Sequence, residues 1–440
     1  MPDCLIIGGG LAGLACAVAL DEAGFQVTVL EAKPFAGGRA ASYRVAPDED
    51  SEEIDNCQHI LLRCCVNLID FYRRLDVLDA IRFHRTLYFL EPGGRTSTLR
   101  RGPLPAPLHL GPSFARLRFL GWRDKIAIAR AMAAVRRDWT TRTDLDEITM
   151  SDWLAEKGQT PRTVNRLWRP VLLSAINEEP HKMAARHGLQ VVRFGLLSAR
   201  DSYEMGVPSV PLGELYRSER WQRSGRVDFR FRSPASSLSV SGRRVTGVRS
   251  GDRAYSPAHV VLAVPFDEAR RLAPELDLPV SFWQHSPITG IHLWFDRPVT
   301  RLPHAALLDR TIQWFFNKGG GRYLQVVVSA SRDLLPLTRR EVIDLAVREL
   351  SDFLPEAGAA RLEKAHVVKV VRATFSAVPG LERLRPGAQT NLSNLFLAGD
   401  WTKTGWPATM EGAVRSGYRA AEAVTAAAGR AARFLLPDLV

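Results

Sequence analysis

Three glycines and an acid near the start of the chain have the types and spacing of a phosphate cradle. Gly8, Gly10 and Gly13 form the pattern G-x-G-x-x-G. In such a run the first glycine permits a tight turn out of a strand. The second lets a pyrophosphate approach the backbone, and the third lets a helix pack close to that strand. Leu11 and Ala12 then open the helix, where unpaired N–H groups meet phosphate charge. Glu31, with Ala32 beside it, follows at the spacing of a carboxylate that hydrogen-bonds a ribose hydroxyl pair. Its charge repels a 2′-phosphate, which disfavours NADP at this site.

A second group extends the site. Gly37 and Gly38 bring backbone close to a ligand, and Arg39 can reach a phosphate or a flavin ring. Near the other end of the chain, Gly399-Asp400 closes an apolar strand, which places the aspartate to bond the ribityl or pyrophosphate part of FAD. Thr409, Met410, Glu411 and Ala413 open a helix whose amides and positive dipole end face flavin N1 and O2. Trp401 and Trp406 stand where they either wall the isoalloxazine or fill core.

The elements that must position these residues are readable from hydrophobic spacing. Residues 4–7 and 27–30 read as buried strands around a helix over 11–23 that stops at Gly24, a βαβ opening. Helices are expected over 60–74, 151–157 and 161–175, the last with Thr160 as N-cap and Pro161 at the first helical position. Strands 227–231, 237–240 and 245–249 read as one meander. Further strands are expected at 260–264, 288–295, 312–316, 323–329, 367–375 and 395–398. Thr338 and Glu341 form a capping box for a helix to about residue 353, and a last helix covers 410–427. The final dozen residues read as loosely held.

At 440 residues, 46% apolar and 24% charged, the chain suits two or three soluble domains with a large core. The five cysteines, Cys4, Cys16, Cys57, Cys64 and Cys65, show no C-x-x-C or metal spacing and read as reduced cytosolic thiols. No metal site is expected. The net charge of +12 invites a nucleic-acid reading, yet no basic arm, zinc spacing or RNA-binding signature accompanies it. Much of the excess lies in residues 98–140, where nine Lys and Arg meet only Asp124 and Asp138. These charges alternate with apolar residues, a pattern of either a helix pair with arginine stems over core or a surface for an anionic bilayer. The uncharged run 5–20 lacks the basic start of a leader, and no run reaches the ~18 residues of a spanning helix.

Taken together, the three motifs resemble the FAD-dependent amine-oxidase/phytoene-desaturase superfamily over essentially the whole chain. Within it, Asp55-Asn56-Cys57-Gln58-His59, the run 397–402 and the run 407–417 are similar to the hydroxysqualene dehydroxylase family, as is 168–177 with Pro170 and Asn177. The family pattern has glycine at Cys57 and leucine at Trp406, and the segment 178–181 also departs from it. The resemblance implies an α/β (α+β) fold. A glutathione-reductase-like FAD-binding Rossmann domain, from 1–85, 214–270 and 386–430, is interleaved with a substrate domain of mixed sheet and helices, from 86–213 and 271–385.

The implied reaction is reductive removal of the allylic hydroxyl of hydroxysqualene, in squalene and hopanoid synthesis, with hydride from reduced flavin. The implied partners are a long-chain apolar isoprenoid and an external reductant, with no nucleic acid. The expected location is cytoplasmic, peripheral on the inner face of the membrane. His59 and Asp55 are the titratable residues of the matched segment and the candidate proton donors. Each also has a structural reading, as a hydrogen-bonder orienting the loop and as a helix N-cap. Two other functions stand beside this one: a carotenoid or phytoene desaturase or polyene isomerase, and a non-enzymatic lipid escort built on the FAD fold.

Overall fold

The computed structural model describes residues 3–45, 52–217, 221 and 224–439. Cys4–Ile7 and Val27–Leu30 are buried along their whole length, as strands covered on both faces of a parallel sheet must be. They form the middle of a five-stranded parallel sheet. Its order is Val227–Arg230, Val27–Leu30, Cys4–Ile7, His259–Leu262 and Leu395–Leu397. Three distant parts of the chain therefore build one sheet. The meander expected over 227–249 does not include its first strand. Val227–Arg230 leaves it to cover the open edge of Val27–Leu30, and the meander consists of Ser237–Ser241, Arg244–Ser250 and Arg253–Tyr255.

Helix Leu11–Glu22 is buried throughout residues 11–20, enclosed by the sheet and by the C-terminal helix Met410–Ala427. Two glycines set how closely these parts approach. A Cβ on Gly13 would lie 2.0 Å from Gly8 O, and one on Gly417 would lie 2.2 Å from Ala12 O. The first and last helices thus meet backbone to backbone.

The helix expected over 60–74 begins later, at Val66, because Leu61–Leu62 pairs as a strand with Met205–Pro208. Its first amides are capped from across the chain. The Glu411 carboxylate accepts from Asn67 N and Leu68 N, which no local pattern could reveal. Residues 161–176 are helical as expected, with Thr160 accepting from Thr163 N at 3.2 Å, but pass through a π-helical turn at Val164–Trp168. The helix ends at Asn177, whose φ is +60°.

A seven-stranded mixed sheet forms the second layer of the molecule. Its long strands His285–Phe295 and Leu362–Phe375 run antiparallel beside Tyr323–Ser329. The strand expected at 312–316 lies two residues further on, at Trp314–Gly319, in register with Tyr323–Ser329. Helix Arg339–Phe353 packs on this layer and carries the expected capping box between Thr338 and Glu341. The described tail is not loose. Phe434 is buried, Phe434 N and Leu435 N donate to Glu422, and Leu436 exchanges two hydrogen bonds with Asn67.

Because Gly417 sits against the backbone of the first helix, Gly417→Val is expected to destabilise the fold by at least ~1–3 kcal/mol, as overpacked cores do. Thermal unfolding measures this, with Gly387→Ala as control, since a Cβ there meets nothing within 4 Å. Equal losses in both variants would remove the close-approach account.

Candidate functional site

A cavity of about 490 Å³ lies over the carboxyl ends of the central parallel strands. Gly8 leaves the first strand at φ +110°, and its N–H donates to Leu30 O at 2.8 Å, tying the turn to the neighbouring strand. The Glu31 carboxylate accepts from Gly9 N and Lys33 N, both at 2.7 Å. It holds both loops in shape and keeps acceptor capacity toward the cavity it lines. Gly37 N donates to Gly9 O, and a Cβ on Gly38 would come within 2.9 Å of Gly10 Cα. Two glycine backbones therefore lie against each other along the floor.

Arg39 joins the two ends of the chain. Its Nη2 lies 2.7 Å from the buried Asp400 carboxylate, and its Nη1 donates to Ala373 O. Asp400 follows Gly399, where a side chain would strike the Trp401 indole at 2.3 Å. The loop after Asp400 is gathered by buried Arg385, which donates to the carbonyls of Asp400, Trp401, Thr402 and Trp406. Thr409 Oγ1 accepts from Gly412 N and caps the last helix, so this helix and Leu11–Glu22 both present free N-terminal amides here. The Ala32, Leu11, Ala12, Met410 and Ala413 expectations also fall on the cavity wall.

Three expected site residues stand apart from it. Gly13 contributes packing against Gly8 rather than a wall. Glu411 turns its buried carboxylate onto Asn67 and Leu68, and burial pushes its carboxyl up from the ordinary range. Asp55 ends strand Glu53–Asp55 and accepts from Ser42 Oγ, Leu212 N and Lys318 Nζ, the last at 3.1 Å. The alternation of side chains along an extended strand sends Asp55 one way and Asn56 the other. Asp55 is thus neither an N-cap nor an acid facing this cavity; it lines a separate one together with Lys318 and Tyr323. Trp401 is core, donating to Val264 O against Trp283, while Trp406 lines a different cavity.

His59 does line the cavity. Its Nδ1 donates to Cys57 O at 2.9 Å, which leaves Nε2 as the acceptor nitrogen of the neutral ring. Burial lowers its pKa, so the imidazole is neutral near pH 7. Sequence reasoning assigned no role to Asn56, Asn177 or Arg385. Asn56 Nδ2 donates to Arg39 O, while its buried Oδ1 has no partner on the cavity wall. Asn177 ties the end of helix Arg169–Ile176 to Ser286 O, Thr374 Oγ1 and Ala330 N. Asn56 and Asn177 both lie in the segments that carried the resemblance; Arg385 has no sequence signal.

These features fit a dinucleotide flavin: an open glycine floor, two helix N-termini, a guanidinium and an unpartnered buried amide oxygen. Among the described residues no His, Cys, Asp and Glu group could hold a metal. A second cavity, of about 420 Å³ and walled almost wholly by apolar side chains, adjoins the first. Ile60, Ser174, Ala175, Thr409 and Met410 line both.

A side chain on Gly10 points into the cradle, with nothing nearer than Gly38 Cα at 3.8 Å. Gly10→Val is therefore expected to yield a folded, colourless protein. Asp400→Ala should weaken FAD retention by ~1.5–3 kcal/mol, the worth of one charge-assisted hydrogen bond. Flavin absorbance of the purified variants measures both, and a fully yellow Gly10→Val protein would contradict the assignment.

The family model for flavin containing amine oxidoreductase matches residues 11–425. Hydroxysqualene dehydroxylase from Sinorhizobium fredii is 32% identical, over 95% of this chain and 97% of that one. The 15-cis-phytoene desaturase of Synechococcus elongatus is 25% identical, over 96% of this chain and 95% of that one. Among solved structures, cyclohexylamine oxidase from Brevibacterium oxydans superposes with a TM-score of 0.67 at 16% identity, covering 98% of this chain and 100% of that one. The cradle, the family match and the shared fold agree: the chain is an FAD-dependent oxidoreductase that belongs to the flavin-containing amine oxidoreductase family and, within it, to the hydroxysqualene dehydroxylase family.

Proposed function

We propose that this oxidoreductase reductively dehydroxylates hydroxysqualene to squalene, in the supply of hopanoids. The observation that carries this reading is the apolar cavity joined to the flavin cradle at Ile60, Ser174, Ala175, Thr409 and Met410. Relatives named hydroxysqualene dehydroxylase, at 32% identity over nearly full length, support it. FAD, bound and reduced, supplies the hydride. The reaction balances when the allylic C–O bond breaks, hydride reaches the carbon, and the oxygen leaves with a proton as water. An external reductant must then restore the flavin.

The chain's own work is to hold the apolar substrate away from water and to handle that proton. His59 is the titratable group on the cradle wall with a free acceptor nitrogen. It takes a proton at Nε2 and passes it to the leaving hydroxyl. Because burial lowers its pKa, the charged form is populated only below the usual imidazole range. The single-turnover rate should therefore fall as pH rises through that lowered pKa. His59→Ala should abolish this dependence and slow product formation ~10²–10⁴-fold with FAD retained. The desaturases among the relatives favour a second reading, in which neutral His59 accepts a proton and hydride moves toward the flavin. That enzyme should show the opposite slope, a rate rising with pH, and should not convert hydroxysqualene.

The same reading extends to substrate delivery from an anionic membrane surface. Leu104, Leu108, Trp122 and Ile126 are exposed, Trp122 by 67%. Trp122, Ile126 and Arg130 share one face of helix Trp122–Thr141, and exposed Arg100, Arg116, Arg118 and Arg123 lie in the same stretch. Leu108 also lines the apolar cavity, which links the patch to the route a bilayer-dissolved substrate would take. No described helix is long and apolar enough to cross a membrane. Flotation should show binding to anionic vesicles that weakens as salt rises. Binding indifferent to lipid charge would remove this part of the proposal.

A further inference from the structure

Trp406 forms part of the apolar cavity wall and precedes Thr409 and Met410, which line the cradle as well. It is buried and stacks on Phe194, with ring centroids 6.0 Å apart and planes 19° apart. A buried indole needs a partner for its N–H. That partner comes from the tail. Trp406 Nε1 donates to Asp438 Oδ1 at 3.0 Å, and the same oxygen accepts from Arg415 Nη1 at 2.9 Å. The tail is itself fixed to Glu422 and Asn67, and Leu439 packs against the Cys64, Phe194 and Trp406 group. The orientation of a large wall residue is thus set by a segment that touches neither the glycine floor nor the Arg39–Asp400 pair.

We propose that Trp406 is a specificity-determining residue that limits the girth and length of the chain the apolar cavity accepts, and that Asp438 is its positioning residue. This rests on the reading that the cavity takes an apolar substrate. Removing the indole opens the cavity, so a short chain loses wall contact while a long one does not. Asp438→Ala frees the indole to rotate. Asp438→Asn keeps an amide oxygen to accept the indole proton.

The test uses the full-length FAD-loaded protein and displacement of the fluorescent apolar probe diphenylhexatriene by farnesol and by squalene. Trp406→Ala should shift the ratio of the two affinities toward squalene by about tenfold, the usual scale of pocket-size discrimination. Asp438→Ala should shift it the same way, and Asp438→Asn should keep the parental ratio. If Trp406→Ala fails to fold or loses FAD, Trp406→Leu carries the same expectation with a smaller opening. An unchanged ratio in the folded, yellow Trp406 variant overturns the wall. Equal shifts in both Asp438 variants overturn the positioning role. If the parent protein takes up neither probe nor chain, the apolar-substrate reading falls, and this inference with it.

Discussion

The structure depends on a close approach that only glycine allows. Gly13 lies against the carbonyl of Gly8, and Gly417 against that of Ala12, with no room for a β-carbon at either place. These two contacts stack the phosphate turn, the first helix and the last helix at backbone distance. Residues from opposite ends of the chain consequently form one cradle, and the Arg39–Asp400 pair can close across it. Widening either contact would move one helix N-terminus relative to the other, and the two are useful only when they face the same ligand.

Around that constraint, buried charges do structural work. Asp55, Glu411 and Arg385 look chemically promising, but each is spent on backbone groups or an ion pair. Glu411 caps the helix starting at Val66, Arg385 gathers four carbonyls of the loop after Asp400, and Asp55 ties a strand to Leu212 and Lys318. Charged groups in low-dielectric surroundings are tolerated only when paired and hydrogen-bonded, and breaking such a pair costs about 3–5 kcal/mol. His59 differs from them, because its hydrogen bond to Cys57 O occupies one ring nitrogen and leaves the other for the cavity.

Function follows from setting a polar cradle beside an apolar one. Helix ends, Arg39 and the Asn56 amide suit a dinucleotide, while the adjoining cavity offers a long hydrocarbon chain almost nothing polar to avoid. The shared rim at Ser174, Thr409 and Met410 is where the two ligands would meet. On the cradle wall, burial lowers the pKa of His59, so the same enclosure that would shelter a substrate sets the proton balance.

The sequence by itself determined the nucleotide-binding half. G-x-G-x-x-G, Glu31, Gly37-Gly38-Arg39 and Gly399-Asp400 are local patterns whose meaning is steric or electrostatic within a few residues, so spacing suffices to read them. Local signals also placed the caps at Thr160 and Thr338. Tertiary structure alone decided what depended on partners far along the chain. Val227–Arg230 joined the parallel sheet because an edge strand elsewhere was open to it, and residues 61–62 became a strand because Met205–Pro208 was there to pair. Asp55 and Glu411 left the cradle because distant amides and Lys318 claimed them. The tail became ordered because Glu422, Asn67 and Arg415 supply donors and acceptors that no local pattern in residues 428–439 announces. Hydrophobic period and turn chemistry act over one element, whereas these choices turn on which unpaired groups the rest of the fold leaves within reach.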